Sequence, residues 1–311
     1  MTKVFITGVS GFVGSGLVRF LETSESTQLY GHSRDKDKAR KQFGKSKINL
    51  EEEYTQQKSD ELGIDVVIHL AGIAHDLSNQ YKEEDYFKIN YEGTVRIVNE
   101  FMKSKAGKLI FLSSIKAAED VSPGIVAEDI HPVPITPYGK SKRKAEEYIQ
   151  SLVLPPGKKI YVFRPCMIHG QGNKGNLNLL YRFVKSGLPY PLGAFHNQRS
   201  FLSLGNFTFI VKHFMDKPLP SGIYHLSDDG YLSTTELYKT IAAALGRKAR
   251  VMNIPVGGIR LLFSLLGKGQ MLNKLTENMM VSNVKVVNTI GEPLPLDIHS
   301  GIRKTIQSFH A

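Results

Sequence analysis

The first fourteen residues constrain this chain more than any other segment. Residues 3–7 are a short β-branched and aromatic run that passes directly into Thr7-Gly8-Val9-Ser10-Gly11-Phe12-Val13-Gly14. Phe12, Val13, Leu17, Phe20 and Leu21 then fall at helical spacing. The segment reads as strand, glycine-rich turn and helix. In that context glycines allow a tight turn and close backbone approach to a pyrophosphate. The helix N-terminus adds free N–H groups and the positive end of a dipole. The spacing is G-x-x-G-x-x-G, not G-x-G-x-x-G. An ordinary glycine turn is the alternative. Position and flanking strand favour a dinucleotide site contacted by Gly8, Ser10, Gly11, Phe12, Val13 and Gly14.

The alternation continues down the chain. Residues 28–32 form a candidate strand, and 65–70, 108–112 and 159–163 are apolar runs of the kind buried in parallel sheets. Helical patterns lie at 91–102 and 138–152. Together they predict an α/β fold, a Rossmann doubly wound parallel sheet over residues 1–165. A third strand belongs within 44–62, but no pattern there places it. After Pro165, Gly, Asn and Pro become frequent around one helix at 177–185. Helices at 234–245 and 259–266 and a strand at 222–227 predict a smaller α/β C-terminal substrate lobe over 166–311, with a return to the first domain around 200–225.

A chain of 311 residues with 41% hydrophobic and 22% charged content can bury a full core and is not disordered. Its net charge of +11 suits anionic ligands. No basic run is interleaved with aromatics, so a nucleic acid is not the expected partner. The single cysteine, Cys166, excludes an intrachain disulfide and points to a reducing, cytoplasmic setting. It reads as a small buried hydrophobe rather than a nucleophile. The N-terminus reads as a strand that starts at once, so no signal peptide is expected, and no segment reads as a transmembrane candidate. The greasiest stretch, 256–266, is interrupted by Arg260 and too short to span a bilayer. It is a helix of the second lobe or lies on a membrane surface.

Two further motifs carry chemistry. In Tyr138-Gly139-Lys140-Ser141-Lys142, a Tyr and a Lys four apart share a helix face. A cation beside a phenol lowers its pKa, which would make Tyr138 an acid/base near neutral pH. Ser113-Ser114 end a buried strand, with Ser114 24 residues before Tyr138. A hydroxyl there can hold a substrate oxygen against the phenol.

With TGVSGFVG at 7–14, DVVIHLAG at 65–72, INYEGT at 89–94, FLSS at 111–114, PYGKSK at 137–142, FRP at 163–165, NQRSF at 197–201 and YHLSD at 224–228, the chain resembles the extended short-chain dehydrogenase/reductases of the nucleotide-sugar epimerase/dehydratase family. The resemblance implies Tyr138 as acid/base, Lys142 as its partner and a ribose ligand, and Ser114 as the substrate hydrogen-bonding residue, with Ser113 as fallback. It implies that Leu70, Ala71, Gly72, Asn90 and Pro165 line the cofactor, and that Arg199 and Asn176 hold a nucleotide diphosphate. Family members are often homodimers.

NAD-preferring relatives place an acid at the end of the second strand. Here the sequence is Gly31-His32-Ser33-Arg34, followed by Lys36, Lys38, Arg40 and Lys41. Ser33 and Arg34 therefore favour NADP over NAD. Dehydratases of the family carry an Asp-Glu pair after the active-site hydroxyl, whereas Ser114 is followed by Ile115-Lys116-Ala117. The expected activity is a 4-epimerase acting on a nucleotide-sugar, UDP-linked by resemblance to the subgroup, without a metal. An NADPH-dependent 4-keto-sugar reductase is the alternative, and a non-catalytic dinucleotide sensor a lesser one. Lys116 either polarises a keto group or points to solvent. His75 is at best a pocket-lining residue.

Overall fold

The apolar runs of the first half become strands of one sheet. The computed structural model describes residues 1–73, 81–173, 176–267 and 269–309. Its strands are β1 (Thr2–Thr7), β2 (Thr27–His32), β3 (Asn49–Glu51), β4 (Val66–His69), β5 (Lys108–Leu112), β6 (Ile125–Val126), β7 (Lys159–Pro165), β8 (Met167–His169), β9 (Phe201–Ser203), β10 (Gly222–Leu226) and β11 (Met280–Val281). Its α-helices are α1 (Phe12–Leu21), α2 (Lys36–Phe43), α3 (Gln56–Leu62), α4 (Glu83–Tyr86), α5 (Gly93–Lys103), α6 (Pro137–Gln150), α7 (Asn176–Lys185), α8 (Leu204–Asp216), α9 (Thr234–Ala244), α10 (Val256–Leu265), α11 (Gly269–Thr276), α12 (Val284–Ile290) and α13 (Ile298–Ser308).

Seven strands form a parallel sheet in the order β10-β7-β5-β4-β1-β2-β3. The order reverses between β1 and β4, which opens a crevice at their carboxyl ends. Alternation explains why the strands read as unbroken apolar runs. Val4, Ile6, Ile68, Ile110, Tyr161 and Phe163 pack on one face, with Leu17 of α1 and Phe207 of α8. Phe5, Val67, Leu109, Phe111, Ile160 and Val162 pack on the other, with Phe101 of α5 and Ala145 of α6. Both faces are covered, so neither needs polar residues. β3 escaped the sequence reading because it has three residues on the sheet edge and its one leucine, Leu50, is exposed.

The second lobe builds its own core from Leu177, Tyr181, Phe201, Tyr238, Ile241 and Ile302. Between its parts the chain returns to the sheet: α8 packs on α1, and β10 adds to β7. The two-residue strands β6 and β11 pair with each other.

A charged cluster joins α6 to β7 on the second face. Glu146 of α6 and Arg164 of β7 are both fully buried, and Arg164 donates to Glu146 from Nε at 2.9 Å and from Nη2 at 2.6 Å. Ser113 donates to the same carboxylate at 2.5 Å. His225 receives Arg164 Nη1 at 3.3 Å and donates from Nδ1 to the Val126 carbonyl. Burial, aided by Arg164, lowers the His225 pKa to about 3, so it stays neutral and can accept. Arg164→Met should leave the Glu146 charge with only the looser Arg143 contact at 3.7 Å and cost about 3–5 kcal/mol of unfolding free energy. Adding Glu146→Leu should recover most of that. Urea denaturation of the two variants checks it, and an unchanged midpoint in the single variant would count against the pair as a determinant of stability.

Candidate active site

The glycine turn fits its neighbours so closely that side chains are excluded. Gly8 has φ +78°, and a Cβ on it would lie 2.8 Å from the Ala71 nitrogen. A Cβ on Gly14 would lie 2.3 Å from the Gly8 carbonyl oxygen. Both obstacles are backbone and cannot rotate away. Gly8 and Val9 donate to the His32 carbonyl, tying the turn to the end of β2. Gly11 caps α1 without a side-chain bond, and the first turn, which begins with Phe12 and Val13, has no acid. Its N–H groups are therefore suited to an anion. Beside the turn, the Ser10 and Ser33 hydroxyls pair at 2.6 Å, Ser33 also donates to the Asp35 carbonyl, and buried His32 Nδ1 has no hydrogen-bond partner. A backbone cradle for phosphates next to an unsatisfied polar atom at the end of β2 fits a dinucleotide.

The opposite wall is β4 and the chain that follows it. Leu70 N donates to the Thr7 carbonyl and Ala71 N to Thr7 Oγ1. Below them His69 sits between the hydroxyls of Thr7, at 2.7 Å, and Thr94, at 3.1 Å. Burial, reinforced by Lys142, lowers its pKa to about 3, so it is a neutral strut. Asn90 lies in a π-helical turn over Phe87–Glu92 and is fully buried. Its amide accepts from Ile73 N at 2.9 Å and donates to the Ile73 carbonyl and to Ser141 Oγ. The wider turn thus lets one side chain hold the segment containing Gly72 against α6. A Cβ on Gly72 would lie 2.8 Å from Asn90 Oδ1 and 3.3 Å from Lys142 Nζ.

Tyr138 enters from the first turn of α6. Thr136 caps that helix by accepting from Gly139 N, and Pro137 occupies its start. A Cβ at Gly139 would lie 2.3 Å from the Lys116 carbonyl oxygen, so only glycine allows this approach. Ser114 caps the 3-10 turn Ile115–Ala117 and accepts from Lys116 N. The Tyr138 ring packs edge-on to Tyr86, with centroids 6.3 Å apart. Burial raises the phenol pKa, and a hydrogen bond from the Ser114 side chain opposes that rise. Lys142 Nζ donates to the Leu112 carbonyl at 2.8 Å and lies over the Phe111 ring, and burial lowers its pKa to about 8.

The expected lowering of the phenol pKa by Lys142 is reversed here. Desolvation of Tyr138 dominates, and the ammonium is engaged with Leu112. Ser113 also departs from the expected substrate contact, because adjacent strand residues point to opposite sides and its hydroxyl is turned to Glu146. Lys116 neither polarises a substrate nor points freely to solvent. It pairs with Asp120 at 2.9 Å, and Asp120 accepts from the backbones of Ile135 and Thr136 at the entry to α6. Pro165 closes β7 beside Leu226. Cys166 is buried, and burial pushes its thiol pKa up, which removes it as a nucleophile. Arg199 donates to the Glu277 carbonyl at 3.1 Å and is close enough to Cys166 for each charge to influence the other. Asn176 begins α7, while its side chain and His75 lie outside the described residues. Arg34 is exposed. In the basic loop after it, Lys36 pairs with Glu52 and Arg40 approaches Asp37, so its positive field is partly neutralised. Asp120, Glu146 and Arg164 escaped assignment because their roles depend on contacts across elements.

A parallel doubly wound sheet, a glycine cradle at its reversal and a Ser/Tyr/Lys set at the same end define an extended short-chain dehydrogenase/reductase. The chain belongs to the NAD dependent epimerase/dehydratase family, whose model matches residues 4–224. Its cofactor is accordingly NAD(P). It is 28% identical over 317 residues to a UDP-glucose 4-epimerase of Vibrio cholerae, covering 99% of this chain and 95% of that protein. It is 25% identical to the N-acetyl-alpha-D-glucosaminyl-diphospho-ditrans,octacis-undecaprenol 4-epimerase of Escherichia coli O157:H7, covering 98% and 94%. The fold matches the crystal structure of UDP-glucuronic acid 4-epimerase from Bacillus cereus in complex with NAD at TM-score 0.76, with 16% identity and 99% of each chain covered.

A buried ammonium with a lowered pKa destabilises the ligand-free fold. The folded state loses this proton near pH 8 and the unfolded state only near the usual 10.5, so the penalty is full below pH 8 and fades between those values. Lys142→Met should therefore stabilise the ligand-free protein by about 1–3 kcal/mol at pH 7. The gain should shrink above pH 8. Urea denaturation across pH tests this, and a loss of stability at pH 7 would refute it.

Proposed function

We propose that this chain is an NAD(P)-dependent nucleotide-sugar 4-epimerase whose substrate is a UDP-hexose. The observation that carries the proposal is Ser114 facing the Tyr138 phenol, with Lys142 of the same helix reaching Gly72 after β4. The name of the Vibrio cholerae relative, matched over nearly its whole length, supports the substrate class.

In this reading Gly8, Ser10, Gly11, Phe12, Val13 and Gly14 receive the pyrophosphate, and Leu70 to Gly72 with Asn90 and Pro165 shape the nicotinamide end. When bound, the nicotinamide would supply reversible hydride exchange with sugar carbon 4. Tyr138 Oη takes the proton of the 4-hydroxyl as that carbon becomes a ketone. Ser114 holds the oxygen in line. The keto sugar turns over, and the same phenol gives the proton back to oxygen 4, so no net redox change occurs. Lys142, one helical turn on and held on the Leu112 carbonyl, is proposed to bind the nicotinamide ribose. Arg199 and Asn176 are proposed to hold the diphosphate. Dehydration lacks a carboxylate base after Ser114, since the nearest acid in sequence, Glu119, follows Ile115-Lys116-Ala117-Ala118, and Asp120 is tied to Lys116 and α6.

Incubation with UDP-hexoses should interconvert two epimers at carbon 4 with no net loss of NADPH absorbance. Tyr138→Phe should lower turnover by about 10²–10⁴-fold while cofactor binding is retained. Full turnover in that variant would sink the assignment.

A second reading is favoured by the absence of an acid at the end of β2 and by exposed Arg34. It makes the protein an NADPH-dependent reductase of 4-keto-6-deoxy nucleotide-sugars, which consumes NADPH stoichiometrically. Both readings share a preference for NADP(H). Arg34→Ala should weaken NADPH binding about tenfold and leave NADH binding unchanged in fluorescence titrations. Equal effects on the two cofactors would remove the preference.

A further inference from the structure

Helix α10 of the second lobe is apolar on the side that faces away from the protein. Val256, Ile259 and Phe263 turn inward and pack on the second-lobe core. Leu261, Leu262, Leu265 and Leu266 turn outward and are 63%, 50%, 77% and 58% exposed. Isolated exposed leucines are common, but four within six residues make a contiguous apolar face. No helix among the described residues is long and apolar enough to cross a membrane.

The charge flanking this helix along the chain identifies what suits the face. Between Glu236 and Glu277 the chain has seven Lys or Arg and no Asp or Glu. The whole protein has 29 acids in 311 residues, so a gap of forty residues without one is a marked local bias. Lys239, Arg247, Lys248, Arg250 and Arg260 of this stretch are exposed. A self-contact of α10 through a two-fold axis would bring Arg260, which stands on the same helix, towards its own copy. An anionic lipid surface would receive the leucines at its acyl boundary and the cations among its head groups.

We propose that α10 docks the protein onto an anionic bilayer surface, lying in the plane of the interface with Leu261, Leu262, Leu265 and Leu266 inserted. The docking does not depend on the sugar chemistry. It sits in the second lobe, apart from Ser114, Tyr138 and Lys142, and brings the enzyme to a membrane without a spanning segment.

The test is co-sedimentation of the full chain with phosphatidylcholine vesicles, with and without phosphatidylglycerol. The protein should pellet with the anionic vesicles, and added salt should release it. Leu261→Ser with Leu265→Ser should weaken binding at least about tenfold. So should Lys248→Glu with Arg260→Glu, which changes only exposed charges and guards against misfolding of the leucine variant. Both variants should keep the parent's thermal melt and turnover on soluble substrate. Absence of parent binding, or equal binding by the charge variant, overturns the proposal. A parent dimer that the leucine variant converts to monomer, with no vesicle binding, overturns it in favour of a self-contact.

Discussion

The carboxylate of Glu146 meets the guanidinium of Arg164 where water does not reach, and that contact fixes α6 against β7. The same carboxylate holds Ser113 at the end of β5. At the other end of α6, Asp120 grips the backbone entering the helix and is itself held by Lys116. Between these anchors stand Tyr138 and Lys142, while Ser114 follows directly on Ser113. A displacement of α6 moves the phenol relative to the Ser114 hydroxyl that opposes its pKa rise. The anchoring uses charges because a bidentate pair fixes direction as well as distance, which apolar packing does not.

Burial sets the protein's own groups in the site against their charged forms. The phenol is harder to ionise than in water, and the ammonium is easier to neutralise. Both effects come from burial, which any site that excludes water must impose. The first turn of α1 is left without a capping side chain, and His32 Nδ1 is left without a partner. These are groups arranged for something other than the stability of the empty fold. Their cost is tolerable because the surrounding sheet is packed on both faces and holds them in place.

Much of the architecture was legible from periodicity. The runs that became β1, β4, β5 and β7 are apolar throughout because helices cover both faces of the sheet. The edge strand β3 was not legible, since an exposed three-residue strand has no pattern to detect. The helix expected at 91–102 begins earlier as a π-helical turn, and no spacing rule distinguishes that turn from ordinary helix. Within the site, the glycine turn and the Tyr138–Lys142 spacing were legible because they are local. The partners of Lys116 and Ser113 were not. Asp120 is only four residues from Lys116, yet whether the pair forms depends on the turn between them and on the arrival of α6.

By itself the sequence determined the central strands β1, β2, β4, β5, β7 and β10 with the helices α1, α5 and α6, the glycine turn, and the presence of a phenol, an ammonium and a hydroxyl at family spacing. These follow from local backbone preference and from the rhythm of apolar residues, both of which are written along the chain. Tertiary structure alone decided that Ser113 faces a buried carboxylate, that Lys142 rests on the Leu112 carbonyl, that the Tyr138 phenol is desolvated, and that four leucines of α10 face outward. Those outcomes depend on which distant segments exclude water from a given atom. Burial is a property of the folded assembly, and no single stretch of sequence carries it.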